Sequence, residues 1–90
     1  MPVLRVYVQS GCPACLRARR LADEARAAFP ALRVDVVNLS DPVSVLPAEV
    51  FATPTFVLDG EVLSLGNPRP AMLLRRLAAA VAWTERLADR

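Results

Sequence analysis

Apolar and polar positions along this chain change period several times, and each change marks an element. Val3-Leu4-Arg5-Val6-Tyr7-Val8 alternates, with Leu4, Val6 and Val8 on one face and Arg5 and Tyr7 on the other, and so predicts a first strand. Gln9-Ser10-Gly11 turns the chain, and Pro13 suits the first helical position, where its missing N–H is not needed. From Pro13 to Phe29 the period becomes helical. Ala14, Ala18, Leu21, Ala25 and Ala28 make an apolar stripe, while Arg19/Asp23 and Arg20/Glu24 make a solvated face. Pro30 ends this helix.

Leu32-Arg33-Val34-Asp35-Val36-Val37 alternates again and is rich in valine, which predicts a second strand. One helix separates it from the first, so the two should be parallel with a right-handed crossover. Residues 40–52 carry mixed signals: Asp41-Pro42 can cap a short helix that Pro47 would interrupt, and one or two irregular helical turns are expected. Thr55-Phe56-Val57-Leu58 and Glu61-Val62-Leu63-Ser64-Leu65 flank Asp59-Gly60, a strong hairpin signal. Asn67 is expected to cap a last helix that begins between Pro68 and Pro70. Leu73, Leu77, Ala80, Leu87, Leu74 and Val81 would form its buried face, with Trp83 at the edge. The order β-α-β-α-β-β-α describes an α/β domain: one four-stranded mixed sheet with helices on both faces.

Ninety residues suit a single domain spanning 1–90, and 54% apolar with 22% charged residues is a composition that packs a core. The apolar runs are shorter than the ~20 residues of a membrane-spanning helix. Net charge is +2, and all eleven basic residues are arginines dispersed along the chain, which argues against nucleic acid as a partner. Histidine is absent, which excludes histidine metal sites, Ser–His and Cys–His nucleophile pairs and imidazole acid/base chemistry. Met1-Pro2-Val3-Leu4-Arg5 lacks the cationic-then-apolar pattern of a secretory signal, so a cytoplasmic location is expected. Disulfides that merely brace a fold are rare there, and a Cys-x-x-Cys pair signals redox chemistry or metal.

Cys12 and Cys15 form that pair, as Cys-Pro-Ala-Cys. Cys12 falls between a strand end and a helix start, where unsatisfied N–H groups and the helix dipole favour a thiolate and lower the thiol pKa. Cys12 is therefore the candidate nucleophile. Cys15, three residues on, faces the same side, and the first turn must tighten for the two sulfurs to bond. As a staple, so short a loop would remove little entropy from the unfolded chain. Two thiolates without histidine fall short of a zinc site within one chain, so no metal is expected; a cluster shared between two chains is an alternative.

At this point the chain resembles the thioredoxin-like superfamily, and within it small glutaredoxin-like proteins. The resemblance rests on Gly11-Cys12-Pro13-Ala14-Cys15 after the first strand, Thr53-Pro54-Thr55 before the third, and Asp59-Gly60 in the hairpin. It implies a thioredoxin-like fold and a thiol–disulfide oxidoreductase that reduces protein or glutathione mixed disulfides, acting in cell redox homeostasis and electron transport. Cys12 and Cys15 would be catalytic. Gly11, Pro13, Thr53 and Pro54 would hold the substrate, with Pro54 cis and lying against the dithiol. No resident cofactor is implied; glutathione is a candidate co-substrate, and glutathione or a thioredoxin-reductase-type donor would supply electrons to a monomer. Two departures stand out: the buried acid of thioredoxins falls at Val6, and the glutaredoxin acid near the last helix falls at Asn67. A binding or redox-sensing module without turnover is the alternative from a different class.

Overall fold

A computed structural model describes residues 1–41, 43, 47, 50 and 52–88. Strand β1 (Val3–Val8) leads into helix α1 (Pro13–Ala28), which returns the chain to β2 (Arg33–Asn38). Then follow β3 (Thr55–Leu58), β4 (Glu61–Leu65) and helix α2 (Pro70–Ala88). The sheet order is β2-β1-β3-β4. β1 pairs in parallel with β2 from Val3↔Arg33 to Val8↔Asn38, as one intervening helix requires. It pairs antiparallel with β3 on its other side, Leu4 facing Leu58 and Val6 facing Phe56.

The β3–β4 turn is built as its sequence indicates. Asp59 (φ 48°) and Gly60 (φ 83°) are both left-handed, the conformation that a two-residue hairpin loop needs. Asp59 also ties the turn to β1. Its Oδ1 accepts from Val3 N–H at 2.8 Å, and its own N–H donates to Val3 C=O at 2.9 Å.

Alternation along β1 turns Leu4, Val6 and Val8 toward both described helices. They share one core with Cys15, Ala18, Leu21, Ala22 and Ala25 of α1, Phe56 and Leu58 of β3, and Leu73 and Leu77 of α2. The expected α1 stripe is shifted: Ala14 and Ala28 are exposed, and Cys15 and Ala22 are buried in their place. An alanine-rich helix offers two neighbouring apolar stripes. The one that carries Cys15 puts Leu21 and three small alanines against the sheet and lets the helix sit close. Asp23 pairs with Arg26 at 2.8 Å, from the last turn of the same helix.

Tyr7, on the face opposite Leu4, Val6 and Val8 as the alternation predicts, is buried with Val50 and Val57 in a second, smaller cluster. The helical turns expected in residues 40–52 fall largely outside the described residues. On α2, Leu73 and Leu77 are buried and Ala80 and Val81 pack at the core's edge, whereas Leu74 and Leu87, expected inside, are exposed. Geometry explains Leu87. A helix of 19 residues extends about 28 Å, while a strand of four residues such as β3 covers only about 14 Å, so the helix outruns the sheet.

Candidate active site: a dithiol beside a prolyl loop

Cys12 is held by the way β1 ends. Leu39 N–H donates to Val8 C=O at 2.8 Å, and Ser10 N–H donates to the Ser40 hydroxyl at 2.9 Å, which fixes the loop leaving the strand. Gly11 then takes φ 73°, a conformation that glycine adopts without steric penalty. Cys12 is extended (φ −103°, ψ 105°) at the N-cap of α1, and Pro13 is the first helical residue. The first turn carries no acidic residue, so no carboxylate competes for its positive end.

Cys12 and Cys15 are joined as a disulfide with Cα atoms 5.3 Å apart. Cys15 N–H donates to Cys12 C=O at 3.1 Å, which tightens the turn between them. The two sulfurs differ in access: Cys12 is half-buried, while Cys15 is 3% exposed within the main core. A shallow, mainly apolar cavity of about 390 Å³ opens beside Cys12, lined by Gly11, Cys12, Pro13 and Leu16. Leu16 was not anticipated, although a leucine off both alanine stripes of α1 was a signal; it is 64% exposed.

The second half of the site comes from the chain entering β3. Pro54 is buried, Thr53 is half-buried, and the bond between them is cis. The Thr53 carbonyl oxygen lies 4.0 Å from Cys12 Sγ. In the disulfide that sulfur has no proton to donate, so this is a contact; a free thiol at the same place has an acceptor facing it. Thr55, fully buried, donates its hydroxyl to Ala52 C=O and so closes the loop. All six residues expected at the site, Gly11, Cys12, Pro13, Cys15, Thr53 and Pro54, thus lie on the two segments that meet here.

Two further residues join those segments. Gly66 (φ 91°) donates its N–H to Pro54 C=O at 2.7 Å, and the Ser64 hydroxyl donates to Gly66 C=O at 2.8 Å. Asn67 does not cap α2: its Nδ2 donates to Ala14 C=O, between the two cysteines, at 2.9 Å. The first helical residue is Pro70, three positions on, too far for an N-cap side chain to serve. A glycine closing a strand followed by asparagine was the available signal, and it reads equally well as a turn. A second cavity of about 200 Å³, lined by Val3, Arg5, Val57, Asp59 and Gly60, lies at the opposite end of β1.

A mixed sheet ordered β2-β1-β3-β4, with a dithiol opening the first helix against a prolyl loop, defines a thioredoxin-like fold. Residues 3–78 match the thioredoxin domain family, and the chain belongs to it. It is 26% identical over 76 residues to the thioredoxin of Methanocaldococcus jannaschii, covering 82% of this chain and 89% of that protein. Among solved structures, the oxidised mitochondrial thioredoxin 3 of Saccharomyces cerevisiae superposes with a TM-score of 0.66 at 22% identity, over 87% of this chain and 77% of the other. The reduced periplasmic thioredoxin SoxS of Paracoccus pantotrophus superposes at 0.60 with 26% identity, over 91% and 97%. Family membership and the bonded dithiol together support thiol–disulfide oxidoreduction as the general chemistry of the site. Among the described residues no helix is long and apolar enough to cross a membrane.

Proposed function

We propose that the chain is a reductant of disulfides, with Cys12 as nucleophile and Cys15 as the resolving thiol. The observation that carries this reading is the unequal pair of sulfurs: Cys12 open to the cavity and 4.0 Å from the Thr53 carbonyl, Cys15 enclosed behind it. In the reduced protein the first turn of α1 favours the Cys12 thiolate. That thiolate attacks a substrate disulfide; a Cys12–substrate bond forms, and the other substrate sulfur leaves as a thiolate and takes a proton. Cys15, deprotonated in turn, attacks Cys12 Sγ. The Cys12–Cys15 bond forms, the second substrate sulfur leaves, and the protein has given up two electrons.

Gly11 and Pro13 line the approach, and the backbone of Thr53-Pro54 offers an edge on which an extended peptide can pair by strand addition. Such pairing accepts protein disulfides and peptide-like thiols alike. Glutathione or a thioredoxin-reductase-type enzyme then restores the dithiol, with no resident cofactor. Ala14, between the cysteines, adds no positive charge to stabilise the thiolate, so the potential is expected in the reducing band of about −200 to −270 mV and not near −120 mV.

The test is disulfide reduction with insulin and with a glutathione-adducted peptide, supplied with electrons in parallel by glutathione plus its reductase and by a thioredoxin reductase. Cys12→Ser is expected to abolish turnover and Cys15→Ser to accumulate the mixed disulfide. Negligible turnover by the wild type with either donor would instead assign a binding or sensing module. Visible absorbance and bound iron in freshly purified protein would assign a shared metal cluster.

A further inference from the structure

Asn67 takes no part in the exchange steps. It lies beyond β4, yet it donates Nδ2–H to the carbonyl of Ala14 at 2.9 Å, across 53 positions of sequence. That carbonyl belongs to the peptide unit whose N–H, on Cys15, donates to Cys12 C=O at 3.1 Å. The bonds therefore run in series: Asn67 amide to the Ala14–Cys15 peptide, and that peptide to Cys12. Hydrogen bonds in such a chain polarise and strengthen one another.

The neighbouring residue, Gly66, donates to Pro54 C=O at 2.7 Å. Gly66-Asn67 thus grips both halves of the site at once, the prolyl loop through its backbone and the cysteine turn through its side chain. The amide orientation follows from its partner, because only an NH₂ group can face the Ala14 oxygen. That orientation leaves Oδ1 buried with no hydrogen-bond partner among the described residues, an unfavourable arrangement that the contact with Ala14 must offset.

We propose that Asn67 is a positioning residue for the dithiol: it stiffens the Cys12–Cys15 turn so that Cys15 is held against Cys12 Sγ for the resolving attack. It touches no substrate. Its effect falls on the step in which the Cys12–Cys15 bond forms and the Cys12–substrate bond breaks, and on the equilibrium between dithiol and disulfide. The proposal rests on the exchange mechanism above.

The experiment titrates the wild type, Asn67→Ala and the near-isosteric Asn67→Asp against glutathione redox buffers, and times release of substrate from the Cys12 mixed disulfide by stopped flow. One net hydrogen bond corresponds to about a fivefold change in an equilibrium constant. Asn67→Ala is expected to lower the effective concentration of Cys15 toward Cys12 by about that factor, making the protein more oxidising, and to slow resolution comparably. The first attack by Cys12, measured in the Cys15→Ser background with and without Asn67→Ala, should change less than twofold. Asn67→Asp, which at neutral pH presents oxygens to the Ala14 carbonyl, should lose at least as much and recover as its carboxyl is protonated.

An unchanged potential and resolving rate in folded variants would overturn the proposal, and so would equal losses in both steps. The wild type gives a check that needs no variant: the Cys15 amide should resist hydrogen exchange in the oxidised protein, and free exchange would overturn it too. Turnover by Cys12→Ser would sink the exchange mechanism itself, a separate failure from any of these.

Discussion

Cys15 and Val6 belong to the same apolar cluster, and Val6 is fully buried where the thioredoxin pattern has an acid. A carboxylate there would titrate beside the dithiol and could carry its protons; a valine can do neither. The chain also has no histidine. The pH dependence of the first attack should therefore follow the Cys12 thiol alone. Only the thiolate attacks, so the rate rises about tenfold per unit below the thiol pKa and levels off above it, with the inflection under the free value of ~8.5. Alkylation of reduced Cys15→Ser protein against pH measures this: one inflection is expected, and a second between pH 5 and 8 would reveal a group that the site is not supposed to contain. At this scale the cysteine motif was legible because its residues are adjacent, so the turn, the proline and the helix start come as one local signal. Asn67 was not. Its local grammar is that of a helix cap, and the bond to Ala14 depends on two segments that meet only after the sheet has formed.

Among the elements, the hairpin was the most legible, since Asp59 and Gly60 both need left-handed backbone and their residue types supply it. The structure adds a second role for Asp59, whose carboxylate accepts from Val3 N–H at 2.8 Å and fastens the tip to β1. Asp59→Ala loses that bond, and with it the polar side chain that makes a left-handed φ of 48° tolerable, so about 1–2 kcal/mol of stability should be lost. In a domain of this size each kcal/mol lowers the melting temperature by about 4–8 °C. Asp59→Asn keeps an acceptor oxygen and tolerates the same backbone, so it should stay within ~0.5 kcal/mol of the wild type. Calorimetry on both decides: equal melting temperatures for the two variants would mean that the side chain does not hold the turn. Helix α1 was less legible, because alanine marks no face strongly. The stripe through Ala14 and Ala28 satisfied the period as well as the one through Cys15 and Ala22, and only the sheet decides between them.

For the whole molecule, periodicity told which side chains alternate but not what would cover them. Tyr7 alternates with the core face of β1, yet it is buried, because Val50 and Val57 close the opposite side of the sheet. The same gap appears on α2, where heptad-like spacing extends to Leu87 although the body it packs on does not. Leu77 is fully buried in the cluster that contains Cys15, so whatever loosens that cluster also loosens the floor under the dithiol. Leu87 is 48% exposed and Trp83 56%, on the part of the helix that extends past the sheet. Leu77→Ala removes the same atoms as Leu87→Ala but leaves a cavity, which costs about 2–5 kcal/mol, a large share of what a domain this small has in reserve. Leu87→Ala should cost less than about 1 kcal/mol, since its atoms are already largely in water. Urea unfolding followed by circular dichroism separates the two: the midpoint should fall steeply for Leu77→Ala and barely for Leu87→Ala, with similar slopes. A comparable fall for Leu87→Ala would show that the outer half of α2 is covered in solution, and that its exposed leucine and tryptophan rest against something.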